Sequence, residues 1–234
     1  MGLIMTEQDG FCFAEPQGFK IKRRKTIMRK FSVVAFAGFM FFLVGSFAMA
    51  DTGVGGFDEK LREGIKLHDE SRTDPSNIEK GKVILSSIQK DSPIAMAYYG
   101  SLITIEAGVY AKNKNGIKAL ELLKTGTDLI DKAVTSAPTV PDLRFLRMEN
   151  SYEISIGSPV NRYKIMKTDI DWLDVRMKDF SPLLQGTIDL YKGLYFVKSR
   201  KLDEGLAAFD ACIAISPGSP EAIEAKKQID RYAE

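Results

Sequence analysis

The 234-residue sequence predicts an all-α protein, and three observations carry that prediction. No stretch after residue 50 alternates apolar and polar residues for long enough to make a half-buried strand. Segment after segment instead repeats apolar residues three and four apart, the spacing that puts them on one face of a helix. Short breaks marked by proline or glycine separate these segments, at lengths that suit antiparallel helical neighbours.

In chain order, Phe57, Leu61 and Ile65 mark a first amphipathic helix. Asp74-Pro75-Ser76 reads as a helix start, with Glu79 three residues after Ser76 as a capping box, and Ile78, Ile84, Leu85 and Ile88 as the buried side. Asp91-Ser92-Pro93 opens a long helix rich in small residues, Ala95, Ala97, Gly100 and Ser101. Small side chains let a neighbour come close, so this helix is expected to be central. Asn113–Gly116 is a polar break. Ile117–Ala137 follows as an amphipathic helix with Leu120, Leu123, Ile130 and Val134 on its apolar side. Pro138 and Pro141 end it and begin another, carrying Leu143, Phe145, Leu146, Met148 and Tyr152. After Gly157-Ser158-Pro159, one helix is expected over Val160–Phe180, and Ser181-Pro182 starts the next. Leu202–Ile215 and Glu221–Tyr232 bring the total to about nine.

The N-terminal fifty residues read differently. Met28-Arg29-Lys30 is a basic start, Phe31–Ala50 carries no charge, and Ala48-Met49-Ala50 supplies small residues at the −3 and −1 positions of a cut. This is the pattern of a secretory signal peptide over 28–50 with cleavage after Ala50, which places the remaining domain, 51–234, in the periplasm or outside the cell. An uncleaved anchor is the competing reading, since the run is long enough to span a bilayer; a membrane would then be met only through this leader. Residues 1–27 read as an upstream extension ahead of a start at Met28. Arg23-Arg24 lacks the hydrophobic pair that a twin-arginine signal carries next.

Seven of the 33 basic residues and three of the 31 acidic ones fall in residues 1–50, leaving 26 against 28 in the domain. The basic balance belongs to the leader and gives no argument for a nucleic-acid partner. Cys12 lies in the extension and Cys212 is alone in the domain, so an internal disulfide there is ruled out. Gly53-Val54-Gly55-Gly56 follows the cut, not a strand, and reads as a tether rather than a phosphate loop.

Near the C-terminus, Gly193-Leu194-Tyr195-Phe196 followed by Gly205, Phe209, Cys212 and Pro217 resembles a tetratricopeptide repeat over about residues 189–217. Asp189 and Gly205 depart from its usual apolar and alanine positions. Ala97-Tyr98-Tyr99-Gly100, with Ala133 and Pro138, resembles a second copy stretched by about fourteen residues. The resemblance implies stacked antiparallel hairpins in a superhelical arc, with the first helix of each hairpin lining a concave groove. It also implies that Arg144, Arg147 and Asn150, three apart on one helix and followed by Tyr152, could grip a peptide there.

The chemistry-bearing residues make no reaction set. His68, the single histidine, sits at the rim of the first apolar stripe, without the second histidine or cysteine pair that zinc requires. Asp169, Asp171 and Asp174 alternate with apolar residues inside a helical pattern and read as a solvated face, not a calcium loop. Trp172 reads as packing. No catalytic set, metal site or cofactor is therefore expected. The expected function is an exported helical module that binds a protein or peptide. The alternative is a binder of a small or lipid-like ligand, as an accessory protein beside a transporter would be, using Tyr98, Tyr99, Tyr191 and Tyr195.

Overall fold

The computed structural model describes residues 55–233, so the extension, the leader at 28–50 and Gly53–Val54 of the tether lie outside the described residues. The described chain is all-α: nine α-helices and one 3₁₀ turn, with no strand. They are α1 Gly55–Glu70, α2 Asn77–Ser86, α3 Pro93–Lys112, α4 Gly116–Ser136, α5 Pro141–Gly157, α6 Tyr163–Asp174, α7 Pro182–Lys198, α8 Leu202–Ile215 and α9 Pro220–Ala233. No helix among them is long and apolar enough to cross a membrane.

Consecutive helices pair, and glycine decides how closely. A Cβ on Gly100 of α3 would stand 2.6 Å from the Gly126 carbonyl oxygen of α4, and one on Gly126 would stand 2.5 Å from the Gly100 carbonyl. Only hydrogen in both places lets these backbones touch. Ala107 of α3 packs with Leu123 of α4, so residue numbers rise on one helix as they fall on the other: the pair is antiparallel. Helices α7 and α8 are antiparallel in the same way, with Gly193 against the Phe209 ring and Gly205 against Val197. In α1 and α2, Gly64 faces Leu85 and Gly81 faces Leu67. Alternate helices also meet, α1 with α3, α3 with α5 and α7 with α9.

The turns of the α3–α4 and α7–α8 hairpins share one geometry. Lys114 and Arg200 both take positive φ (62° and 63°), just past the ends of α3 and α7. In each, the next residue's N–H bonds back to a carbonyl five residues earlier, Asn115 to Tyr110 and Lys201 to Phe196, both at 2.9 Å. This is a Schellman end, which reverses the chain tightly enough for a hairpin.

Two expected boundaries shift. The capping box at Ser76 does not form, because Ser76 already has helical backbone angles and its hydroxyl caps nothing. Asp74 acts instead, its Oδ1 accepting the Ser76 N–H at 3.0 Å. The helix expected over Val160–Phe180 is shorter, ending at Asp174 before a 3₁₀ turn at Met177–Asp179. Here Arg176 stacks on the Trp172 ring at 3.9 Å and its Nη1 donates to the Trp172 carbonyl, satisfying an acceptor of the last turn from outside the helix. The tether expected through Gly56 also yields its last two residues to α1.

Candidate ligand-binding cleft

Helix α5 carries most of the polar side chains singled out from the sequence, and it sends them to different neighbours. Arg144 and Arg147 face α6. Asp169 on that helix is fully buried; its Oδ1 accepts from Arg144 Nη1 at 2.9 Å and Arg147 Nη2 at 2.7 Å, while its Oδ2 accepts from Arg147 Nε at 2.7 Å. Asp131 of α4 adds a bond to Arg147 Nη1 at 3.4 Å and one to Arg162 Nη2 at 2.7 Å. Asp169 is thus a buried anchor, not part of a solvated face: the helical pattern alone could not show that α5 supplies two guanidinium groups opposite it. Asp171 on the same helix does face solvent. Trp172 lies half-buried, between Arg144 and Arg176.

Tyr152 turns toward α7 and meets Tyr191 edge-on, ring centroids 5.7 Å apart. Arg144, Arg147, Asn150 and Tyr152 therefore point to three neighbours rather than into one groove. Nor do the four tyrosines converge. Tyr98 and Tyr99 pack in the apolar cluster of α1, α2 and α3, whereas Tyr191 and Tyr195 pack in that of α5 to α9.

What sequence reasoning missed is a cleft of about 560 Å³ between α3, α4 and α5, bordered on one side by Ser71, Arg72 and Pro75 of the turn between α1 and α2. That volume lies within the roughly 300–1,000 Å³ typical of small-molecule sites. Its walls are largely apolar: Ile105, Ala107 and Val109 from α3, Ala119 and Leu123 from α4, Ile154 from α5. Ile117, 87% exposed, stands at its edge. None of the four tyrosines lines it. The small residues singled out on α3 reach it only at Ser101, so no segment of the sequence marked it.

Of the α5 residues named from the sequence, only Asn150 reaches this cleft. Its Nδ2 donates to Thr104 Oγ1 at 2.7 Å, and the Thr104 hydroxyl donates to the Ser101 carbonyl at 2.8 Å. With its proton spent on a carbonyl, Thr104 Oγ1 can only accept from Asn150, which fixes the amide's orientation. Asn150 Oδ1 is left buried with no hydrogen-bond partner. Glu153 and Arg72 also line the cleft. Burial pushes the Glu153 carboxyl up, and the nearby positive charge of Arg72 opposes this. Just behind, burial raises Glu149 to about 7 against the same opposition from Arg72, and its Oε1 also lacks a partner.

Ser101 borders the cleft and belongs to a hydrogen-bonded series that resembles a nucleophilic triad. His68 is buried, with Nδ1 2.9 Å from Asp69 Oδ1 and Nε2 2.8 Å from Ser101 Oγ. A carboxylate only accepts, so Nδ1 carries the proton and Ser101 donates to Nε2. Burial lowers the imidazole pKa and keeps it neutral. Yet acyl transfer needs donors aimed at the developing oxyanion. Ser101 sits in the middle of α3, where backbone N–H groups are committed to the helix. The series reads as a polar tie between α1 and α3, with Tyr98 packed edge-on against the imidazole at 4.9 Å.

Among the described residues no three His, Cys, Asp or Glu side chains gather as metal ligands. Cys212 is fully buried, and burial pushes its thiol up to about 12, the state of an inert packing residue. Comparison with protein-family models, with curated proteins and with solved structures finds no match to this chain.

Proposed function

We propose that this chain is a non-catalytic, exported binding module of stacked, tetratricopeptide-like hairpins, and that its ligand is a small amphipathic molecule held in the α3–α4–α5 cleft. The observation that carries this reading is an apolar-walled cleft of about 560 Å³ between α3, α4 and α5. A ligand's apolar part would bury there against Ile105, Leu123 and Ile154. The tetratricopeptide-like element draws support from Gly193 and Gly205, which lie where α7 and α8 approach most closely. The exported location draws its support from the leader pattern at 28–50.

A protein or peptide partner is the second reading. It no longer rests on Arg144 and Arg147, whose guanidinium groups are engaged by Asp169. It rests on Ile117 and Leu120, exposed apolar residues at the cleft, which a partner's side chain could cover.

Gly108 supplies the test, since it lines the cleft and a Cβ placed there meets nothing within 4 Å. The variant Gly108→Phe fills the cleft and removes a helix-weakening glycine. The fluorescent apolar amine N-phenyl-1-naphthylamine is expected to bind the purified protein, and at least tenfold more weakly to the variant at unchanged melting temperature. Equal binding to both forms, or none to either, sinks the cleft. One dominant crosslinked protein from an envelope extract, absent with Gly108→Phe, would favour the second reading.

A further inference from the structure

Taking the cleft to be the binding site, as proposed above, we infer that it takes an unsubstituted alkyl chain: the chain fills the cleft, and the ligand's polar head stays in water at the mouth, where the protein does not select it. The lining leads there. Its bulk comes from aliphatic side chains such as Ile105, Val109, Leu123 and Ile154, and no aromatic residue belongs to it, so a planar ring has nothing to stack on. All four hydroxyl groups of the lining donate within the chain. Ser71 Oγ donates to the His68 carbonyl at 2.6 Å and Ser101 Oγ to His68 Nε2 at 2.8 Å. Thr104 Oγ1 donates to the Ser101 carbonyl and Ser158 Oγ to the Ile154 carbonyl, both at 2.8 Å. The Asn150 amide is bonded to Thr104. An ether, carbonyl or hydroxyl oxygen on the buried part of a ligand would therefore leave water and find no hydroxyl proton in exchange, whereas a methylene gives up nothing.

The charged groups of the lining lie outward. Arg72 and Lys112 are exposed and Glu153 is only partly buried. Arg72 has the carboxyls of Glu149 and Glu153 near it, so a head of either sign meets charges of both signs. Contacts between such charges in water contribute little. The cleft thus distinguishes ligands by what the chain carries along its length and not by the head.

Displacement of N-phenyl-1-naphthylamine by single-chain amphiphiles, each below its micellar concentration, tests chain and head separately. From octanol to nonanol to decanol, each methylene should lower the displacing concentration about fourfold. Two isomers place the same oxygens at opposite ends: 1,2-decanediol should act at least tenfold more strongly than 1,10-decanediol, whose second hydroxyl enters the cleft. Decanol, decanoate and decylamine should agree within about fivefold. Displacement by 1-decanoyl-lysophosphatidylcholine at the level of decanoate would extend the ligand to a lipid's tail; failure of that probe alone would restrict it to free single chains, with the alkyl chain upheld in both cases. Equal action of the two diols, a preference of more than tenfold for one of the three heads, or no displacement by any alkyl probe would each overturn the inference while the cleft stands. If N-phenyl-1-naphthylamine does not bind, or binds Gly108→Phe equally well, the cleft itself falls and this inference with it.

Discussion

Helix α5 presents two polar faces of opposite kind. Toward α6, Arg144 and Arg147 close on Asp169, whose two oxygens accept three guanidinium bonds; only Arg144 Nε remains without a partner. Toward α1, α3 and the cleft, Glu149 Oε1 and Asn150 Oδ1 are buried with no partner, and Glu149 and Glu153 carry raised pKa values. The first face is a tie whose partners hold one another. The second leaves buried hydrogen-bonding capacity unused, an arrangement that costs stability.

The largest break in this comparison should come from Asp169→Ala. It leaves the buried Arg147 guanidinium only its longer contact to Asp131, and loss of one partner from such a pair costs about 3–5 kcal/mol. Urea denaturation should show a lower midpoint of that size. A variant within about 1 kcal/mol of wild type would mean that Arg147 turns out to water, and the tie would lose its meaning.

Glu149→Gln probes the other face, and its effect depends on pH. In the folded protein Glu149 titrates at about 7 against an ordinary 4.5, so between those values the folded state holds a proton that the unfolded chain releases. For this group, stability is unaffected below about 4.5, falls as pH rises toward 7 and stays reduced above it. Glutamine cannot ionise, so the variant should be the more stable form at pH 8, by on the order of 3 kcal/mol at most, and should lose part of the decline between pH 4.5 and 7. Parallel stability curves for the two forms would show that Glu149 is solvated.

Smaller effects sharpen the contrast. Asn150→Leu removes one hydrogen bond and one orphaned acceptor together, so its stability should stay within about 1 kcal/mol of wild type by thermal unfolding. A loss of 3 kcal/mol would mean that Asn150 belongs with Asp169 as a structural tie. Asp171→Ala, two residues from Asp169, breaks only the exposed Lys167–Asp171 pair and should change stability by about 0.5 kcal/mol or less. The distance between its effect and that of Asp169→Ala measures what burial adds.

These residues also show where the sequence stopped being informative. Asp169, Asp171 and Asp174 look alike in one dimension, because a helical pattern says which residues share a face and not what lies opposite. Asp169 is buried by α5, a helix whose arginines stand 22 and 25 residues away. His68 and Ser101 meet across 33 residues, and Thr104 and Asn150 across 46. The cleft belongs to this class too: a cavity is the absence of side chains where three helices fail to close, and no single segment records that.

The sequence by itself determined the helical class, the short proline- and glycine-marked turns and the small-residue character of α3. Each of these depends on local backbone preference and on periodicity, which operate within a few residues. Tertiary structure alone decided which carboxylate is a buried anchor, which arginines it holds, and that Asn150 rather than Arg144 or Arg147 lines the cleft. Those outcomes depend on hydrogen-bond partners brought together from different hairpins, and in a buried site the partner, not the residue type, sets the energy.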